Sequence, residues 1–215
     1  MLGLVALPVG ESHVSALGEG SRVAVAQVVV VEVASAAATT GTLRVIERSG
    51  DVEETILGPV SARLGRNGVK RLRREGDGTT PLGTMRITGA FGAISSPRVA
   101  VPYRRIERGD CWVSDVGDAR YNELVRRARC SSPNEDLFRI ASAGPYEYAL
   151  TTDYNSSPVE VGKGSAIFIH VHAYDATGRT KPTSGCVSVS RSVMKRLFSL
   201  LDPAKNPTMV VRVRR

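Results

Sequence analysis

From residue 22 onward, short runs alternate apolar with polar side chains and are broken by Gly, Pro, Asn or Asp. Alternation with a period of two is the mark of a strand with one buried face. It predicts strands over 22–33, 84–88, 137–141, 146–152, 165–172, 186–189 and 208–213. Two further runs, 42–47 and 52–57, flank Arg48-Ser49-Gly50-Asp51, whose Gly and Asp suit a hairpin turn. Two segments have a different period. Over 118–129, Tyr121, Leu124, Val125 and Ala128 fall at helical spacing, with Arg120, Glu123, Arg126 and Arg127 opposite and Asp118 as a cap. Over 191–201, Val193, Met194, Leu197, Phe198 and Leu201 share a face, Ser190 caps the start and Asp202-Pro203 stops the run. The pattern therefore predicts a mainly β fold with two short helices, at 118–129 and 191–201.

Glycine and proline place the loops. Residues 65–68 (GRNG) read as a turn, and 75–83 hold three glycines and a proline in nine residues. No Gly-Lys-Ser/Thr follows, so this is not a phosphate-binding loop. Residues 1–20 show no periodicity and read as a poorly ordered lead-in; 21–215 contain no repeat or linker and read as one domain. The apolar opening at 1–10 lacks a positive flank and reads as the remnant of a signal peptide. No segment is long and apolar enough to form a transmembrane helix.

Charge changes the picture little. The chain of 215 residues carries a net charge of +8, with basic clusters at 70–74, 104–108 and 126–129. No nucleic-acid motif or row of stacking aromatics accompanies them, so they read as a solvated basic surface and nucleic acid is not expected as a partner. Of the three cysteines, Cys111 and Cys130 bracket the helical pattern and are candidates for a disulfide in an exported protein, which leaves Cys186 as a free thiol.

The chemistry concentrates in 166–190. Period two puts His170 and His172 on one strand face, and a polar loop returns the chain to Thr183-Ser184-Gly185-Cys186. Gly185 permits a tight turn that displays the thiol, and the amides around Ser184, Gly185 and Cys186 are candidates for an oxyanion hole. A nucleophilic cysteine needs an imidazole to take its proton; His170 is the candidate base, with His172 the alternative or a substrate-facing neighbour. The same residues admit a rival reading as a zinc site built from His170, His172, Cys186 and Asp175. Glu75 and Asp77 either orient substrate or stabilise their loop, and Trp112 reads as core.

These elements resemble a known family. IFIHV at 167–171 with PTSGCVSVS at 182–190, GRNG at 65–68, EGDGTTPLGT at 75–84, WVSD at 112–115, YN at 121–122, DYN at 153–155 and GKGSAIFIH at 162–170 are similar to the L,D-transpeptidase catalytic domain, often called YkuD-like. The turn departs from the commoner Ser/Thr-His-Gly-Cys form by carrying Ser184 in place of the histidine. The resemblance implies a β-sandwich or bent-sheet fold, no cofactor and no metal. It implies Cys186 as nucleophile, His170 as base, and Ser184, Gly185 and Cys186 as the oxyanion turn. His172, Thr183, Tyr154 and Asn155 become candidate substrate contacts. The implied substrate is a peptidoglycan stem peptide, acylated onto Cys186 with loss of D-alanine and passed to an amine, or to water in an L,D-carboxypeptidase. Export to the wall or periplasm and contact between the basic surface and an anionic wall polymer follow as expectations. A non-catalytic wall-binding module is the rival from another class.

Overall fold

The computed structural model describes residues 25–95 and 97–214. The lead-in expected at 1–20, and the first residues of the strand expected from 22, lie outside the described residues.

Among the described residues fourteen strands and two α-helices follow in order. They begin with β1 (Val25–Val33), β2 (Thr40–Ser49) and β3 (Val52–Arg63). The short pair β4 (Val69–Lys70) and β5 (Thr80–Pro81) precedes β6 (Gly83–Gly92) and β7 (Tyr103–Arg105). Next come β8 (Asp110–Trp112), β9 (Leu124–Arg126), β10 (Glu135–Asp136) and α1 (Leu137–Ser142). The chain ends with β11 (Tyr148–Thr152), β12 (Phe168–Val171), β13 (Val187–Val189), α2 (Arg191–Leu200) and β14 (Thr208–Val213).

Nine strands form one mixed sheet in the order β11-β12-β13-β3-β2-β1-β14-β6-β7, and β11 also pairs with β6. That last pairing turns the sheet back on itself. The main core lies on its inner face, where alternate residues such as Val29, Val31, Val33, Leu43, Val45, Val187 and Val189 are fully buried. Helix α2 presents Met194, Leu197 and Phe198 to this core. On the other face a smaller cluster joins Phe91, Leu137, Tyr146, Phe168 and Cys186. It is roofed by α1 and by the three-stranded sheet β10-β8-β9.

The mainly β expectation stands, and the helix over 191–201 is α2. The other helix is not where the spacing predicts it. Residues 118–129 form successive tight turns and then β9, which pairs with β8. Asn122 adopts a left-handed backbone at φ 63°, which ends any helical path there. The Asp110 carboxylate, fully buried on β8, draws in Arg126 and Arg104. A buried charge needs its partners, and this need outweighs local propensity. The second helix is α1, where 137–141 was expected to be a strand. Asp136 caps it by accepting from Arg139 N, and Leu137 and Ala141 lie one turn apart in the core. So short an apolar run does not separate the two periods. Cys111 and Cys130 are joined by a disulfide that ties β8 to the segment after β9.

Candidate active site

Register decides which side chains meet. In β12, Ile169 and Val171 enter the main core, which turns Phe168 and His170 to the other face. β13 lies parallel to it, with His170 opposite Ser188, so Cys186 projects on the same face as His170. Both line a cavity of about 520 Å³, with Thr183, Ser184 and Gly185 along its rim.

The turn before Cys186 is pinned on both sides. Thr183 N donates to Leu64 O at 2.8 Å, and Arg66 N donates to Thr183 O at 2.8 Å. Thr183 Oγ1 donates to Cys186 O at 2.6 Å and accepts from Gly185 N at 3.1 Å, closing the turn internally. Thr80 Oγ1, from the glycine-rich loop, reaches the same Cys186 carbonyl at 3.3 Å. Gly185 sits at φ 153°, and a Cβ there would lie 3.0 Å from Thr79 O and 3.2 Å from Arg73 Nη2. A side chain at this position would push the turn off its support.

The thiol is packed, not displayed. Cys186 is 6% exposed; its Sγ donates to Ala166 O at 3.1 Å and accepts from Phe168 N at 3.3 Å. The short strand after the turn buries the sulfur against Phe168 and Tyr146, so only the cavity wall reaches it. Burial, reinforced by the charge of Glu135, pushes its pKa up to about 12. His170 is buried too, which lowers its pKa to about 4. Its Nδ1 lies 2.7 Å from Val171 O, and as a carbonyl only accepts, Nδ1 carries the proton. Nε2 is then the basic nitrogen. The resting site therefore holds a neutral thiol and a neutral imidazole.

The other expected residues separate. His172 stands off the cavity, with Nδ1 2.9 Å from Ser188 Oγ. Tyr154 and Asn155 line a second cavity of about 400 Å³ and brace 160–164, through Tyr154 Oη to Lys163 O and Asn155 Nδ2 to Glu160 O and Gly164 O. Asp77 ties its own loop by accepting from Arg74 N and Thr79 N, while Glu75 faces the main cavity. Among the described residues no three His, Cys, Asp or Glu are grouped to hold a metal. Asp175 instead closes a turn with Thr177 and Arg179.

Sequence reasoning passed over Arg73, Glu135 and Tyr146, all in the cavity wall. Tyr146 Oη donates to Glu135 Oε2 at 2.6 Å, and its ring meets that of His170 edge-on at 5.2 Å. The scarcity of aromatics was the only signal available for Tyr146; nothing in the local pattern marks Arg73 or Glu135.

The profile of the family described as YkuD, L,D-transpeptidase catalytic domain, matches residues 27–213. The chain belongs to this family. Among solved structures, the L,D-transpeptidase-like chain is similar in fold to the helical cell shape determining protein Pgp2 from Campylobacter jejuni. The identity is 16%, the TM-score 0.49, and the alignment covers 92% of this chain and 53% of that one. The K307A mutant of Pgp2 gives 15% identity and a TM-score of 0.50, covering 90% of this chain and 51% of that one. Bdellovibrio bacteriovorus Bd1075 gives 18% and 0.41, covering 89% of this chain and 52% of that one. The family member described here thus spans about half the length of these solved relatives. No curated protein sequence matches it.

Proposed function

We propose that this chain is a cysteine acyltransferase acting on peptidoglycan stem peptides, with Cys186 as nucleophile and His170 as base. The observation that carries this reading is the shared cavity of Cys186 and His170, with Nδ1 of His170 committed to Val171 O. Family membership supports the substrate class. The Cys111–Cys130 disulfide supports an oxidising, extracytoplasmic setting.

Because both groups rest neutral, activation accompanies attack. The Sγ–H turns from Ala166 O toward His170 Nε2. As the sulfur bonds to the carbonyl carbon after the third stem residue, the proton passes to Nε2. The developing oxyanion is met by the amides of Ser184 and Cys186, since that of Gly185 is engaged by Thr183 Oγ1. The C–N bond breaks, the imidazolium protonates the departing D-alanine nitrogen, and a thioester remains on Cys186. An amine from a neighbouring stem then attacks, losing its proton to His170 and releasing the thiol. Water in the amine's place gives an L,D-carboxypeptidase.

The test is intact mass after exposure to a carbapenem, a reagent that acylates such a thiol. One adduct is expected on the wild type and none on Cys186→Ala, which should also lose stem-peptide turnover by about 10³-fold or more. Turnover retained by Cys186→Ala would sink the assignment.

A further inference from the structure

The basic run at 70–74 divides between the interior and the surface. Arg73 turns inward: it is 5% exposed, pairs with Asp77 and lies over the Tyr154 ring at 5.5 Å. Its neighbours turn outward, and Lys70, Arg71, Leu72 and Arg74 are all exposed. Leu72 is 79% exposed, more than any other large apolar side chain among the described residues. A second loop meets this one, since Glu75 N donates to Gly162 O at 2.8 Å. It carries Val159 and Val161, the latter 62% exposed. Leu72, Arg73 and Lys163 border the cavity of about 400 Å³ lined by Tyr154 and Asn155. They also border an open depression of about 650 Å³, completed by Lys70, Arg74, Val161 and Gly162.

Backbone bracing holds the two apolar tips outward. The Asn155 amide accepts from Glu160 N at 2.8 Å and donates to Glu160 O and Gly164 O at 2.9 Å each, while Tyr154 Oη donates to Lys163 O. Folding Val161 back onto the protein would break these bonds. Lys163 pairs with Glu160, and Asp153 is taken by Arg86. Lys70, Arg71 and Arg74 form no salt bridge among the described residues. The surface is therefore a pair of apolar tips across a shallow floor, ringed by free cations. A bilayer with anionic headgroups complements both features: its phosphates meet the cations, and its acyl boundary receives leucine and valine. A soluble polyanion would leave Leu72 and Val161 in water. A stable protein partner covers about 800 Å² on each side, and three apolar side chains among charges supply little of the apolar centre such an interface needs.

We propose that this face docks on a membrane surface rich in anionic phospholipid, with Leu72 and Val161 entering the boundary between headgroups and acyl chains and Lys70, Arg71, Arg74 and Lys163 among the phosphates. The inference stands apart from the acyl-transfer reading. Arg73 lines both the depression and the Cys186 cavity, so docking holds the edge of that cavity close to the bilayer. A patch of this size gives reversible attachment, not permanent anchoring.

The test is co-sedimentation of the full chain with vesicles of phosphatidylglycerol and phosphatidylcholine in equal parts, beside vesicles of phosphatidylcholine alone. Binding to the mixed vesicles should be tighter by about tenfold or more and should weaken as salt is added. Leu72→Ser with Val161→Ser should lower affinity for the mixed vesicles about tenfold. Arg71→Gln with Arg74→Gln should do the same. Lys195→Gln with Arg196→Gln removes equal charge from exposed positions on α2 and should stay within about twofold of wild type. A fluorescence measurement reports insertion. Leu72→Trp should show blue-shifted emission on the mixed vesicles, and Val52→Trp, at an exposed site on the β2–β3 hairpin, should not. Absence of binding to the mixed vesicles, or an unshifted Leu72→Trp, would overturn the inference. So would equal losses from the two charge pairs with none from Leu72→Ser and Val161→Ser, which would mark attraction by net charge alone. Polyphosphate bound as tightly as the vesicles, by the wild type and the Leu72→Ser, Val161→Ser protein alike, would assign the cations to a soluble polyanion instead.

Discussion

A cysteine that packs like a core residue and yet faces a cavity has two roles to reconcile. Cys186 Sγ–H donates a hydrogen bond to Ala166 O and packs among Phe168 and Tyr146, so the free protein keeps it a thiol. Desolvation raises its pKa to about 12 and lowers that of His170 to about 4, which opposes an ion pair in the absence of substrate. Reactivity toward small alkylating agents follows the thiolate fraction. Iodoacetamide at pH 8 should therefore modify Cys186 more slowly than a free cysteine, by a factor on the order of 10³. The rate should climb log-linearly with pH through pH 9, followed by mass spectrometry on the protein with its disulfide intact. A plateau near pH 7 would show a preformed thiolate–imidazolium pair and contradict the neutral resting state.

Between elements, one buried amide does the work of a small scaffold. Asn122 accepts from Trp112 Nε1 at 2.9 Å and Ala166 N at 3.1 Å, and donates to Tyr154 O at 3.0 Å and Asn155 O at 2.8 Å. It thereby fixes β8, the 153–155 loop and the start of β12 relative to each other. Asn122→Ala would strand four polar groups and place alanine at φ 63°, so urea unfolding should show a loss of about 3 kcal/mol or more. A loss below about 1 kcal/mol would show that water replaces the amide readily. This residue also shows where the sequence stopped being readable. The strand at 208–213, the hairpin about 48–51 and the Ser190-capped helix are local: period, turn residues and caps all lie in one window, and each was legible. So was the placement of Cys186 and His170 on one face of adjacent strands, because register follows from alternation. The segment 118–129 was not, since its spacing is helical while its fate depends on Asp110, Cys111 and Ala166, contacts distant in sequence. Arg73 and Glu135 were hidden for the same reason. A lone charge in a basic or polar stretch gives no sign that tertiary packing will place it in the cavity beside Cys186.

At the scale of the whole molecule, the cavity is a site of stored electrostatic cost, and that cost is visible in stability. Burial raises the Glu135 pKa from 4.5 to about 7. Between these values the unfolded chain has this carboxyl ionised while the folded chain holds it protonated. Its contribution is fully present below pH 4.5 and is lost as pH rises through 7. His170, lowered from 6.5 to about 4, runs the other way: its contribution is present above pH 6.5 and is lost as pH falls through 4. Over the shared window the two slopes oppose each other, so the paired site masks its own pH dependence. Glu135→Gln removes one of them and retains the bond to Tyr146. Relative to wild type, the variant should gain about 3 kcal/mol as pH rises from 4.5 to 7, the stated shift at about 1.4 kcal/mol per pH unit. Its own stability should then fall as the solution is acidified through the range where only His170 titrates. Urea denaturation of both proteins at pH 4.5, 6 and 8 measures this directly. A variant-minus-wild-type difference that stays constant across the three would show that the carboxyl is solvated in the free protein.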